Sequence, residues 1–97
     1  MRNYAPNLPS LWENYKKNGA LEARDQIIIE YAPLIKYVAG RLAIGMPNNV
    51  DYDDLVGFGV FGLLDAVEKF EPERGIKFET YALARIRGAI IDGLRSM

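Results

Sequence analysis

Cysteine and histidine are both absent from the 97 residues. Without cysteine there is no disulfide framework, thiolate nucleophile or zinc–thiolate site. Without histidine the usual general base and the commonest metal ligand are missing as well. No serine or threonine has an activating base in view, so nucleophilic catalysis has no candidate. The chain is therefore read as a non-enzyme with no cofactor and no metal. Long apolar runs are lacking too: none approaches the roughly 18 residues of a membrane span, and the N-terminal segment has no signal-peptide core. A cytoplasmic protein without a membrane partner is expected. Repeats, low-complexity tracts and β-type alternation are also missing.

What is present is the composition of one globular domain. Hydrophobic residues are 49% and charged residues 26%, far from a disordered chain, and the length suits a single core. The net charge of −1 conceals a gradient along the chain. Residues 1–50 carry +2 and residues 51–73 carry −6, with Lys69 the one base among seven acids; residues 74–97 carry +3. An acidic middle beside a basic end fits two partners of opposite charge, because steering follows the local field. Two solvated helix faces would give the same pattern.

The periodicity predicts an all-α bundle of four to five helices. Ser10-Leu11-Trp12-Glu13 has capping-box spacing and Asn18-Gly19 a stop, which predicts a short helix over about 11–17. From Ala20 to Ile44 apolar residues recur every three or four positions, with a kink or restart near Ala32 imposed by Pro33. Asp51 is a good N-cap for a helix over Tyr52–Lys69, and Asp53 and Asp54 suit its first turn. Glu71-Pro72-Glu73-Arg74-Gly75 reads as a turn, and a last helix runs from Phe78 or Glu79 to about Leu94. Residues 1–19 form a short N-terminal helix and turn, and 20–97 the main domain. Trp12, Tyr15, Tyr31 and Tyr37 are expected in the core or in helix packing.

Gly57-Phe58-Gly59-Val60-Phe61-Gly62 matches the dinucleotide fingerprint G-x-G-x-x-G. That motif needs a preceding buried strand, and here an acidic helix start precedes it. The glycines are better read as sites of close helix approach. Asp54, Gly57, Phe58, Phe61 and Leu64 or Asp65 share one face of the helix, and Leu55, Gly59, Gly62, Leu63, Ala66, Val67 and Phe70 make a second apolar face. A helix apolar on two sides is central in its bundle or presents one side to a partner. The acidic flanks favour a protein partner with a basic rim. Lys77, Phe78, Thr80, Tyr81, Arg85 and Arg87 interleave cations with aromatics, a pattern suited to single-stranded nucleic acid. Phe78 and Tyr81 as core residues under solubilising arginines is the competing reading. Arg85 and Arg87 lie about 200° apart on a helix. We expect Arg85 to face a ligand beside Tyr81, and Arg87 to face the packed side near Asp65 or Glu68.

Asp54-Leu55 followed by Gly59, Gly62-Leu63, Ala66, Lys69-Phe70, Arg74-Gly75, Lys77-Phe78 and Thr80-Tyr81-Ala82 resembles the central helical domain of bacterial RNA polymerase sigma factors. The stretch from Arg85 to Arg95 most resembles their flagellar, motility and sporulation class. The resemblance covers about residues 20–97. It implies that the helix carrying Asp54, Gly57, Phe58, Val60, Phe61 and Leu64 docks on the coiled coil of the largest subunit of core RNA polymerase. It implies that the element carrying Lys77, Phe78, Thr80, Tyr81, Arg85 and Arg87 opens the minus-ten promoter DNA and captures its non-template strand. An anti-sigma factor is a further implied partner.

This sequence departs from primary sigma factors where it matters for DNA. Ala84 and Arg85 stand where those factors carry two tryptophans, and Gly88 removes a base-reading side chain. Gly57 and Phe58 replace polar residues, which makes the expected polymerase contact more apolar. The family continues beyond the position of Met97, so the chain is read as a fragment. The alternative from another class is a helical protein-interaction module, for example one binding an anti-sigma factor, with no nucleic-acid role.

Overall fold

A computed structural model describes residues 7–97, and the first six residues of the expected N-terminal segment lie outside it. Five α-helices follow in order: α1 Leu8–Asn18, α2 Leu21–Tyr31, α3 Pro33–Ala43, α4 Tyr52–Lys69 and α5 Phe78–Arg95, with a short 3-10 turn Pro72–Arg74 before α5. The all-α expectation holds.

Local chemistry explains most of the boundaries. Gly19 takes φ 67° after α1, and the N–H groups of Gly19 and Ala20 donate to the carbonyls of Tyr15 (2.9 Å) and Asn14 (3.2 Å). This is the left-handed stop that glycine permits. The capping box does not form. Helix α1 starts at Leu8, so Ser10 is already inside its first turn, and Pro9 occupies a position where a missing N–H costs nothing. Pro33 separates α2 from α3, both 11 residues long, instead of merely bending them. The Asp51 carboxylate accepts the Asp53 N–H at 3.0 Å and caps α4.

Helices α4 and α5 form the central antiparallel pair, and α3 lies across both. Leu55, Leu63, Ala66 and Val67 of α4 meet Ala82, Ile86 and Ile90 of α5, all essentially buried, with Ile27, Ile35 and Ala39 above them. Among the described residues no polar side chain is buried. A second centre of the core is aromatic. Trp12 lies 5.0 Å from Phe78 and 5.1 Å from Phe70, ring to ring, and Tyr31 lies 4.6 Å from Phe78. These rings join α1 and α2 to the turn that leads into α5, so α1 shares the core of the remainder. Tyr37, expected in packing, is instead exposed on α3.

The close-approach reading of the glycines holds at two of three positions. A Cβ on Gly62 would stand 2.7 Å from the Ile86 Cα and 2.8 Å from the Arg85 carbonyl oxygen. One on Gly59 would stand 2.9 Å from the Ile35 side chain, whereas Gly57 faces open space. All six residues of the apparent fingerprint lie inside α4, without the strand and turn that phosphate binding requires.

Gly62→Ala should therefore lower unfolding free energy by about 1–3 kcal/mol through overpacking against backbone, although alanine favours helix by about 1 kcal/mol. Gly57→Ala should gain up to about 1 kcal/mol. Urea denaturation followed by circular dichroism measures both, and a neutral Gly62→Ala would contradict the tight α4–α5 contact.

Candidate functional site

Because α4 buries one face so completely, its opposite arc is free. Asp53, Asp54 and Gly57 are exposed there, together with Val60 (38%), Phe61 (71%) and Leu64 (41%). A benzyl side chain exposed to that degree beside two aliphatic ones is an apolar patch rimmed by carboxylates. Phe58 departs from the expected arrangement. It is half-buried and its ring lies over Gly93 of α5, in space that a larger residue at 93 would fill. It stands at the edge of the patch and helps to hold the helix pair.

The basic end divides differently from expectation. Lys77 and Thr80 are exposed as anticipated, but Phe78 is only 4% exposed, enclosed by Trp12, Tyr31 and Phe70. It is a core ring and offers no face to a base. Tyr81 is half-buried, its ring 5.8 Å from that of Phe70. The two arginines are exchanged relative to expectation. Arg85 forms an ion pair with Asp65 of α4, and Arg87 is exposed on the flank towards α3. The cause is the Gly62 contact: it sets the backbone at Arg85 and Ile86 against α4, which turns the Arg85 side chain along that seam.

Asp65 also accepts from Lys69 at 2.8 Å. Hydrogen bonding from Lys69, and then the bond and charge of Arg85, hold the Asp65 carboxyl below the ordinary carboxylate range. The carboxylate thus fixes two cations along the α4–α5 seam.

Beside it, Lys69, Phe70, Glu71, Arg74, Ile76 and Tyr81 line a hollow of about 270 Å³. It offers an aromatic wall, an exposed isoleucine and two cations, with Arg74 held 2.7 Å from Glu71. Such a hollow can take a planar heterocycle against Tyr81 with a phosphate near Arg74. Glu71, Arg74 and Ile76 escaped the sequence reading because their segment looked like a simple turn; the one signal was its closeness to Lys77. A larger groove of about 630 Å³ runs between α1 and the 3-10 turn, over Trp12, Phe70 and Phe78.

A helical domain with an apolar–acidic face on one central helix and a cationic, aromatic hollow at the start of the next is the class of protein defined so far. Residues 27–97 match the family Sigma-70 region 2, and the chain belongs to that family. It is 51% identical over 85 residues to the RNA polymerase sigma-D factor of Bacillus subtilis, covering 88% of this chain and 34% of that protein. It is 43% identical over 81 residues to the RNA polymerase sigma factor FliA of Pseudomonas aeruginosa, covering 84% of this chain and 33% of that one. The chain spans about a third of the length of these curated relatives. Among solved structures, it resembles a chain of the flagellar sigma/anti-sigma complex Sigma-28/FlgM. There the TM-score is 0.68 and the identity 38%, over 84% of this chain and 35% of that one. Among the described residues no helix is long and apolar enough to cross a membrane.

Because the Asp65 carboxyl titrates below its unfolded value near 3.8, its stabilisation is complete above that pH and fades as pH falls through the lower folded value. Asp65→Asn should flatten this acid limb of the stability curve. At neutral pH it should cost at most about 1 kcal/mol, as exposed pairs do. Thermal melts between about pH 2 and pH 7 measure both effects.

Proposed function

We propose that this chain is the part of a flagellar- or motility-class sigma factor that docks on core RNA polymerase and holds the opened minus-ten strand of a promoter. It acts in the cytoplasm by binding, without catalysing a reaction. The observation that carries the reading is the exposure of Phe61 at 71% in the middle of a helix whose other face is fully buried. Asp54, Gly57, Val60, Phe61 and Leu64 form the polymerase-facing surface, with Phe58 at its edge. An apolar centre inside a carboxylate rim suits a helical partner with basic residues around an apolar seam, such as the coiled coil of the largest polymerase subunit.

Promoter DNA belongs further along the α4–α5 pair, where the end of α4 meets the start of α5. Tyr81 supplies a stacking face and Lys69 and Arg74 the cations of the hollow; Lys77 and Thr80 are exposed nearby in the chain, and Arg85 is held at the seam by Asp65. A non-template base unstacked from the duplex would enter that hollow, stacking on Tyr81. The double-tryptophan wedge of primary sigma factors has no counterpart at Ala84 and Arg85, so strand capture rests on the hollow. An anti-sigma factor is a further proposed partner, supported by the likeness to the sigma chain of the Sigma-28/FlgM complex.

Phe61→Glu should weaken capture of the chain by core polymerase at least tenfold, as loss of an interface centre does, with cooperative melting retained. Equal affinity in a folded variant would reject the polymerase assignment. Arg74→Ala, at a 70% exposed side chain, should leave polymerase capture and melting unchanged. On the polymerase-bound chain it should weaken binding of a single-stranded minus-ten oligonucleotide roughly tenfold. Unaltered DNA binding would favour a purely protein-interacting module.

A further inference from the structure

The Phe58 ring lies directly against the Gly93 backbone, in the space that a Cβ at position 93 would occupy. Its other side stands at the edge of the α4 patch, on one helix face with Asp54 and Phe61. We propose that Phe58 is a positioning residue that couples this patch to the end of α5: a polymerase helix seated on the patch traps the ring on Gly93 and so fixes the last turn of α5. The proposal rests on the polymerase reading above and extends it to the conformation of a second helix.

The end of α5 depends on this contact. Ile90 is the last fully buried residue of the helix, and none of residues 91–97 is buried. Leu94 is half-buried against the core, and Gly93 lies under Phe58. A glycine inside a helix costs about 1 kcal/mol relative to alanine. Gly93 has no positive φ that would call for one. What the glycine provides is room for the ring. The Gly93 carbonyl also closes the helix, accepting from the Ser96 N–H at 3.2 Å and from the Ser96 hydroxyl at 2.9 Å. A ring that holds Gly93 therefore holds the residue on which the helix ends.

Docking can act on the ring through its rotamers. A large side chain on a helix has two favoured χ1 values, near 180° and −60°. They send a phenylalanine ring to places well apart, so one lies on Gly93 and the other leaves it. The neighbouring Gly57 carries no side chain and faces open space, which leaves the way outward clear on that side. Phe61, one turn further on, is exposed. A partner helix that covers Phe61 also fills the space above Phe58, and the outward rotamer is lost. Docking then favours the seated ring, and by linkage a seated ring favours docking by the same factor. The effect reaches the surface of α5. Asp92, next to Gly93, lines a hollow of about 170 Å³ together with Phe61, Asp65 and Gly88, so fixing the last turn also fixes one wall of that hollow.

The test is hydrogen exchange of the chain, free and saturated with core polymerase, read by mass spectrometry on the peptide covering residues 91–97. In the wild type, binding should slow exchange there by about fivefold or more. In Phe58→Leu, which keeps apolar bulk but has no flat ring, the slowing should be lost. Phe58→Tyr should retain it. Gly93→Ala, outside the polymerase-facing surface, should displace the ring, abolish the slowing and weaken polymerase capture about fivefold. Slowing that persists in Phe58→Leu overturns the proposal, by showing that polymerase covers the end of α5 directly. Loss of the slowing in Phe58→Tyr overturns it too, as does a folded Gly93→Ala that behaves like the wild type. Should Gly93→Ala not melt cooperatively, the two Phe58 variants decide. A bound wild type with unchanged exchange overturns the coupling and leaves the proposed function intact. A wild type that polymerase does not capture overturns the proposed function and the coupling with it.

Discussion

Helices α4 and α5 touch where Gly62 meets the backbone of Arg85 and Ile86, leaving no room for a Cβ. This contact sets how each helix is turned about its own axis. With α5 pressed against Gly62, Ala82, Ile86 and Ile90 face inward, Tyr81 and Arg85 fall along the α4 seam, and Arg87 falls towards α3. The same contact turns Phe61 and Leu64 of α4 outward. Two glycines in a helix cost about 1 kcal/mol each in propensity, and the burial of Leu55, Leu63, Ile86 and Ile90 around them offsets that cost. The exposed apolar patch and the cationic seam are consequences of a packing decision made in the middle of the domain.

Electrostatics then distributes the cations. Asp65 holds Arg85 and Lys69 along the seam, and Glu71 holds Arg74 at the mouth of the hollow. The acidic segment thus has two parts with different physical roles. Asp53 and Asp54 stay exposed at the start of α4, where the helix dipole favours them and where they rim the apolar patch. Asp65 lies three turns further along the same arc, beside Phe61, and positions basic side chains at the α4–α5 seam. Sequence order alone suggests one acidic block, while the helix separates it into a rim and an anchor.

Helix ends were legible because each depends on adjacent residues. Gly19, Pro33, Asp51 and Gly75 act through their own φ angle, missing N–H or side-chain oxygen. The buried face of α4 was legible too, since its apolar residues follow one period. The rotation of α5 was not. Its inward set and its flanks both contain aliphatic residues, so periodicity leaves the axis loosely determined, and the partner that decides it lies at Gly62, more than twenty positions away. The burial of Phe78 escaped for the same reason, as its neighbours Trp12 and Tyr31 are distant in sequence. The capping box failed because Pro9 makes an earlier start favourable. Gly93 carried no local signal; only the folded chain brings it under Phe58.

The aromatic centre links the core to the surface. Phe70 packs on Trp12 and Phe78 from one side and faces Tyr81 and the hollow from the other. Helix α1 therefore supports that wall from behind. A second tie comes from Lys16, whose ammonium donates to the Glu68 carbonyl at 2.6 Å, in the last turn of α4 where carbonyls lack helical partners and a cation is favoured. Burial nevertheless draws its pKa down, because the ammonium leaves part of its hydration behind. A wall held in this way is already formed before any base arrives. Less ordering then opposes binding, which in the proposed reading helps the hollow to hold one unstacked base against the tendency of the duplex to close.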